Sequence, residues 1–357
     1  VKPVITPLTD HDAKLVDATL AMRNAARTVD IPGFMPVCPD RFRGELAYAA
    51  SHVRQEHVVA RLDDGTVVGH AALTLPLREN LSAGQLELTV HPGHRRQGVG
   101  RALYAHTADR LRELRRTRVA GRTVEPVPVP DPDPEPEPAA GEPAADPHPA
   151  RAFATAVGAT VALEEHRYRL DLDPADPAAE QNRAELLAQA RAAAATGYRV
   201  VTWRDRTPEE HVADAAYLAT RIGTDAPSGE LDWQAEQIDI DRVRETETGL
   251  AATRNHTYLA GAVHAGSGRM VALTMLARQH SVRDQCSQWI TIVAPTHRGH
   301  RLGLLLKLAN LDHIRTHEPE LRTVDTWTAA SNHHMIRINQ TLGFRRMDRW
   351  LVWQAQV

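Results

Sequence analysis

The sequence predicts an α/β chain in which one unit is used twice. The stretch Trp289 to Leu308 (WITIVAPTHRGHRLGLLLKL) runs from an apolar strand through a basic, glycine-bearing turn into a Leu-rich helix. Leu86 to Leu103 (LELTVHPGHRRQGVGRAL) does the same 203 residues earlier. Without a gap, Val90 aligns with Val293, Pro92 with Pro295, His94 with His297, Arg95 with Arg298 and Gly100 with Gly303. Period-two apolar strands alternate with helical stretches in both halves. At 357 residues the chain also has room for two domains, each with its own core.

Each element has a local reason. Val4 to Pro7 reads as a first strand, and Asp10 is the expected cap of a helix with Leu15, Ala18 and Met22 on one face. Ile31 to Pro39 breaks that helix. His57 to Leu62 and Val67 to Leu75 form a hairpin about Asp63-Asp64-Gly65. Gln85 to His91 follows as a strand, with Leu86, Leu88 and Val90 on one face and Glu87 and Thr89 on the other. Gly100 to Leu114 is helical and ends in basic residues, which a helix C-terminus favours.

Of the 24 residues from Pro126 to Pro149, ten are proline and six are acidic, with no Lys or Arg. Alternate prolines fit neither a sheet interior nor a helix. The stretch from about 124 to 149 is therefore expected to be an extended, solvated, disordered insertion within the first domain. Arg151 to Gly158 and Ala162 to Leu172 then supply a helix and a strand, and Ala-rich Asp173 to Thr196 reads as a connecting helix.

The pattern restarts with the strand Tyr198 to Trp203. Thr207 is the expected cap of the next helix, with Pro208 at its first position and Glu210 as box partner. Asp225 to Asp241 is acidic. Thr257 to Ala265 and Met270 to Arg278 form a hairpin, and Gln285 to Ala294 is the motif strand. Arg322 to Thr328, Asn332 to Leu342 and Arg349 to Gln354 close the chain as strand, helix and strand. The expected domains are 1–173 and 198–357, joined by a connecting helix over 174–197.

Composition narrows the function. A net charge of −3 with scattered basic residues argues against nucleic-acid binding, which needs a basic face. No apolar run approaches membrane-spanning length and no signal-peptide pattern opens the chain, so the expected setting is cytoplasmic. Cys38 and Cys286 fall in different halves, so neither a disulfide framework nor a metal site is expected. A turn that leads into a helix N-terminus presents free backbone N–H groups and the positive end of the helix dipole, and its glycines let a phosphate approach.

The pattern V-x-P-x-x-R-x-x-G-x-G after an apolar strand resembles motif A of the GNAT superfamily of acyl-coenzyme A N-acyltransferases. The first loop, Arg95-Arg96-Gln97-Gly98-Val99-Gly100, matches the Arg/Gln-x-x-Gly-x-Gly/Ala signature in full. The second, Arg298-Gly299-His300-Arg301-Leu302-Gly303, carries Arg301 where the first glycine usually stands. Its continuation LLLKLANL and the later SNHHMIRINQTLGF are similar to a tandem GNAT group common in actinomycetes. The resemblance implies an α/β fold in each half, a mixed central sheet flanked by helices, with acetyl-coenzyme A as cofactor. It covers nearly the whole chain outside the proline tract and the connecting helix.

The resemblance also assigns residues. A bulge in the motif strand would free backbone amides for the acyl donor at Leu88, Thr89 and Val90, and at Thr291, Ile292 and Val293. The loops, extended to Arg101 and Leu304, would hold the pyrophosphate, and Asn332 would meet the pantetheine arm. An ammonium must lose a proton before it can attack, and Glu87 matches the family base; a solvent-facing strand residue is the alternative reading. Ile290 stands at that place in the second half, where Thr291 and Asp325 are the catalytic candidates, with His333 and His334 beside them. The family's acid Tyr is replaced by Ala154 and by Asn339, which leaves the acid unassigned. Asp225 and Glu230 of the acidic segment would meet a cationic acceptor.

The expected activity is acetyl transfer to a primary amine of a small amino-sugar or polyamine-type metabolite, in antibiotic biosynthesis or self-resistance, by a monomer or homodimer. The second half would be catalytic and the first would bind acyl-coenzyme A or serve as scaffold. A mycothiol-synthase-like acetylation and a non-catalytic coenzyme A sensor are the other two readings.

Overall fold

The computed structural model describes residues 3–31, 33–126, 148–173, 175–194 and 197–357. The first half runs β1 (Val4–Pro7), α1 (Ala13–Asp30), α2 (Pro39–Ala47), β2 (Val53–Arg61), β3 (Val67–Pro76), β4 (Ala83–Val90), α3 (Val99–Glu113), β5 (Arg118–Pro126), α4 (Pro149–Ala156) and β6 (Thr160–Asp171). Helix α5 (Pro177–Ala194) leads to the second half. There β7 (Tyr198–Arg204), α6 (Glu209–Asp225), α7 (Ile240–Ala252), β8 (Asn255–His264), β9 (Met270–Gln279), β10 (Gln285–Val293), α8 (Leu302–His317), β11 (Thr323–Ala329), α9 (His333–Thr341) and β12 (Arg345–Gln356) repeat the order.

Two expected caps shift. Asp12, not Asp10, stands directly before α1 and accepts from Leu15 N–H at 3.0 Å. Thr207 is buried and does not cap α6; its N–H is taken by Glu247 at 2.7 Å, so it anchors the chain to α7 instead. The expected insertion is shorter at both ends. Val124 to Pro126 belong to β5, paired with β12, and Pro149 opens α4, where a helix needs no N–H. Residues 127–147 of the proline tract lie outside the described residues.

The described strands form one mixed sheet in the order β1-β2-β3-β4-β5-β12-β6-β11-β10-β9-β8-β7. Side-chain alternation separates its faces. Gly69 lies under Val99 and Leu103 of α3, where a Cβ would come within 2.9 Å of both, while Glu87 points the other way to meet Arg23 of α1. Both halves end by exchanging strands. The last strand, β12, pairs with β5 from Gln356↔Arg118 to Asp348↔Pro126, and β6 pairs with β11 from Asp171↔Thr323 to Glu165↔Ala329. Each half's open sheet edge is thus covered by the other half, and the sheet continues across residue 173.

Charge locks this centre. Arg167 of β6 is 1% exposed and reaches Asp348 on β12 at 3.0 Å and Asp325 on β11 at 2.9 Å. Arg169 grips Asp325 with two bonds of 2.7 and 2.8 Å. Two guanidiniums and two carboxylates compensate one another, which a buried charge requires.

The loops after the first helices also cross over. Cys38 N–H donates to Gln279 on β9, the Gln279 amide donates to Pro36 O, and Phe34 packs edge-on against Trp327 at 5.9 Å. In return Glu230 N–H donates to Ala162 O at 2.8 Å, and Asn80 and Gln234 exchange two hydrogen bonds. Gly229 is required there: its φ is +59°, and a Cβ would lie 2.1 Å from Ala162 O.

Candidate active site

Each half opens one cleft where two parallel strands part. β4 pairs with β5 only from Ala83↔Arg118 to Leu86↔Gly121, and β10 pairs with β11 only from Gln285↔Thr323 to Gln288↔Thr326. Beyond those points Glu87 to Val90 and Trp289 to Val293 leave an unpaired backbone edge facing the gap. Such an edge offers N–H and C=O groups to an extended, amide-bearing chain.

The turn after each motif strand keeps one backbone shape with different residues. Arg96 and Gly98 have φ of +62° and +85°; the aligned Gly299 and Arg301 have +87° and +54°. Glycine and arginine have traded the two left-handed positions, so Arg301 preserves the loop even though it stands in a glycine's place. An arginine there costs strain that a glycine avoids. The first helical N–H groups to find partners are those of Ala102 and Leu305, donating to Gly98 O and Arg301 O at 3.0 Å. The N–H groups of Val99, Gly100 and Arg101, and of Leu302, Gly303 and Leu304, precede them at the helix start, an anion cradle that fits a pyrophosphate. Gln97 and His300 lie within these turns.

The leading arginine of each loop is a clip. Arg95 bonds Val90 O at 3.3 Å and forms a bidentate pair with Asp30, the last residue of α1, at 2.8 Å for both bonds. Arg298 bonds Val293 O at 3.3 Å and pairs with Asp225, the last residue of α6, at 2.7 Å. Arg221 also holds Asp225. Other acidic-segment carboxylates are paired as well: Asp232 with Arg118, Glu236 with Arg242 and Asp239 with Arg78. Among the described residues no ion pair involves Glu230.

The motif strands differ. The register of β10 against β9 shifts between Gln288 and Ile290, which places a bulge at Trp289, upstream of Thr291, Ile292 and Val293. The Gln288 amide fills it, donating to Met275 O at 2.7 Å, Ile290 O at 2.8 Å and Thr274 Oγ1 at 3.0 Å. In the first half β4 keeps an unbroken register with β3 from Gln85 through Leu88 and Thr89 to Val90, so no bulge occurs there. Leu86, which stands opposite Leu73 as Gln288 stands opposite Leu276, is partly buried against the core and carries no amide to fill one.

The first cleft's carboxylate is engaged. Glu87 keeps 53% of its side chain exposed, yet it accepts from Arg23 at 2.7 Å. Desolvation would raise its pKa, but the charges of Arg23 and Arg27 and the Arg23 hydrogen bond hold it at about 2. Behind it lie Phe42, with Arg23 4.9 Å above its ring, and the buried pair His57 and His70, whose Nδ1 and Nε2 are 3.2 Å apart. Burial and the neighbouring Arg23 bring His57 down to about 4 and push His70 well below its usual value, so both are neutral at pH 7.

In the second half Thr291 spends its hydroxyl on Thr274 and Ile290 O, both at 2.8 Å, beneath Gly303. Asp325 is 2% exposed and held by Arg167 and Arg169, away from solvent. Asn332 caps α9 through Met335 N–H at 3.1 Å, which leaves its NH2 for a ligand. His333 and His334 stand exposed on the first turn of α9.

Sequence reading missed Arg23, Gln288 and Lys307. Lys307, one turn beyond Gly303, is buried and bonds Asn339 Oδ1 at 2.8 Å. The signal for it was a lone lysine inside the apolar run Leu302–Leu308.

The model of the acetyltransferase (GNAT) family matches residues 23–126. No curated protein sequence matches the chain. Among solved structures, a tandem GNAT protein from the clavulanic acid biosynthesis pathway, determined without AcCoA, is 33% identical. That match covers 99% of this chain and 98% of that one, with a TM-score of 0.80. A GCN5-related N-acetyltransferase from Sphaerobacter thermophilus shares the fold at 14% identity, over 99% of this chain and 95% of that one, with a TM-score of 0.60.

Proposed function

The chain belongs to the GNAT family of acetyltransferases in its tandem form, and from that premise we propose that its second cleft transfers an acetyl group from acetyl-coenzyme A to a primary amine of a small metabolite. The observation that carries this reading is the bulge at Trp289, present in β10 and absent from β4. It turns backbone groups out of the β9 ladder beside the gap, where they can meet a thioester oxygen as it gains charge. The loop Arg298 to Leu304 suits the pyrophosphate, and the Asn332 NH2 and the free edge of β10 suit the pantetheine arm.

In the first half, Glu87 is a weak proton acceptor while Arg23 holds it, and Phe42, His57 and His70 fill the space behind. This supports a first half that binds acyl-coenzyme A at Arg95 to Arg101 or acts as scaffold. We take the working units as 1–173, 174–197 and 198–357, each half lending its last strand to the other.

The acceptor class is an amino-sugar or polyamine-type amine, in antibiotic biosynthesis or self-resistance. The clavulanic acid pathway of the tandem relative supports that setting. Glu230, which like Asp241 of the same acidic segment takes part in no ion pair among the described residues, and exposed Trp289 are the groups proposed to meet the acceptor; Asp225 serves instead to steady Arg298.

The test is release of coenzyme A from acetyl-coenzyme A against a panel of amino-sugars and polyamines, with product masses measured. Gly303→Glu places a carboxylate in the second anion cradle and is expected to lower turnover by about 100-fold, comparable to losing a main stabilising group. Gly98→Glu is expected to cost less. The opposite ranking would move catalysis to the first half, and bound coenzyme A without turnover on any amine would make the chain a sensor or scaffold.

A further inference from the structure

The packing of α8 does not account for Lys307. It is 4% exposed, on α8, whose other buried side chains are aliphatic apart from Asn310. Its ammonium has three donors and, among the described residues, one acceptor, Asn339 Oδ1 at 2.8 Å, with the Phe344 ring 5.4 Å away. Around it Leu170, Leu276, Gln288, Leu311, Val324, Leu342 and Phe344 enclose a cavity of about 10 Å3, close to the room one water needs. The elements packed against it (β6, β9, β10, β11 and α9) face it with apolar side chains and the amides of Gln288 and Asn339, and none brings a charge. Burial alone lowers its pKa to about 7, so amine and ammonium coexist near neutrality. A buried cation without a counter-ion is a burden on stability that an apolar residue of similar volume would remove.

Two placements give it a use. Lys307 shares its cavity with Gln288, the last residue of β10 paired with β11 and the filler of the bulge. Its partner Asn339 donates in turn to Thr328 Oγ1 at 3.1 Å, on the part of β11 beyond the pairing with β10. The lysine therefore sits under the vertex where the strands part. The aligned residue 203 positions earlier is Tyr104, another proton-bearing group, partly buried and edge-on to Phe153 at 6.3 Å. Both halves carry such a group one turn into the helix that follows the anion loop.

We propose that Lys307 is the proton donor to the departing sulfur in the second cleft. This rests on the reading that a thioester is cleaved there. As the amine's N–C bond forms and the C–S bond breaks, Lys307 Nζ gives one proton to sulfur, yielding the thiol. The acceptor nitrogen releases one proton to water, and neutral Nζ regains one from solvent before the next turnover. The position, shared by both halves, replaces a donor on the closing helix, where Ala154 and Asn339 supply none.

The test uses binding, with the first loop blocked by Gly98→Glu so that the second cleft alone is read. Calorimetric affinities for coenzyme A and desulfo-coenzyme A are compared between pH 6 and 9. With Lys307 present, coenzyme A is expected to bind about tenfold more tightly than the desulfo analogue between the pKa values of Nζ and the thiol, where nitrogen and sulfur share one proton, and the ratio is expected to fall toward pH 6. Lys307→Met is expected to abolish that ratio while leaving desulfo-coenzyme A affinity unchanged and the melting temperature equal or higher. A ratio that survives Lys307→Met overturns the proposal, as does equal binding of both ligands by the parent protein, a comparison that needs no variant at 307. If neither ligand binds the second cleft at all, the functional reading fails and the proposal with it.

Discussion

Residues 87–100 and 290–303 occupy equivalent places in the two halves and meet different neighbours. In the first, Glu87 bonds Arg23 at 2.7 Å, the strand register is unbroken, and a fully glycine-patterned loop follows. In the second, Ile290 replaces the carboxylate, a bulge interrupts the strand, and an arginine takes a left-handed glycine position. The half with the better sequence signature has the cleft whose charge is already spent. A loop signature reports how well a phosphate can be cradled; it carries no information on whether the strand before it is free to act.

The comparison breaks most severely if the halves are separated. Residues 198–357 alone would leave β11 without β6 and Asp325 without Arg167 and Arg169. We expect no cooperative unfolding transition from that fragment by circular dichroism. A stable fragment would mean that the exchanged strands are dispensable.

Within the intact chain, Arg167→Ala strands Asp325 and Asp348 in the core. It is expected to cost about 3–5 kcal/mol in a denaturant titration. A cost below about 1 kcal/mol would show that water reaches the centre of the sheet.

The smallest effect sharpens the contrast at Glu87. Its folded pKa is held at about 2, below the unfolded value near 4.3, so its pairing favours the native state above pH about 4 and that contribution fades as pH falls toward 2. Glu87→Gln is expected to flatten stability against pH across that window and to leave turnover little changed. Loss of turnover with an unaltered acid profile would restore Glu87 as the base.

Much of this was legible residue by residue. The hairpin at Asp63-Asp64-Gly65, the two anion loops, the motif strands and the restart at Tyr198 all follow from local periodicity and turn chemistry. The displaced caps were near misses of the same kind: Asp10 and Asp12 look alike in sequence, and only the helix start selects between them. Lys307 was visible as a charge in an apolar run, without any sign of what it would touch. Asp225 and Asp325 read as free acids because ion pairing to Arg298 and Arg167 spans long stretches of chain.

The sequence by itself determined the duplicated unit, its α/β alternation, the loop geometry and the family, since each depends on neighbours a few residues apart. The tertiary structure alone decided that β6 and β12 are exchanged, that Trp289 bulges while β4 stays in register, and that Arg167 and Lys307 are buried. Strand partners are chosen by hydrogen-bonding edges that any apolar strand presents alike. A side chain's charge and reactivity are set by the groups those pairings bring around it.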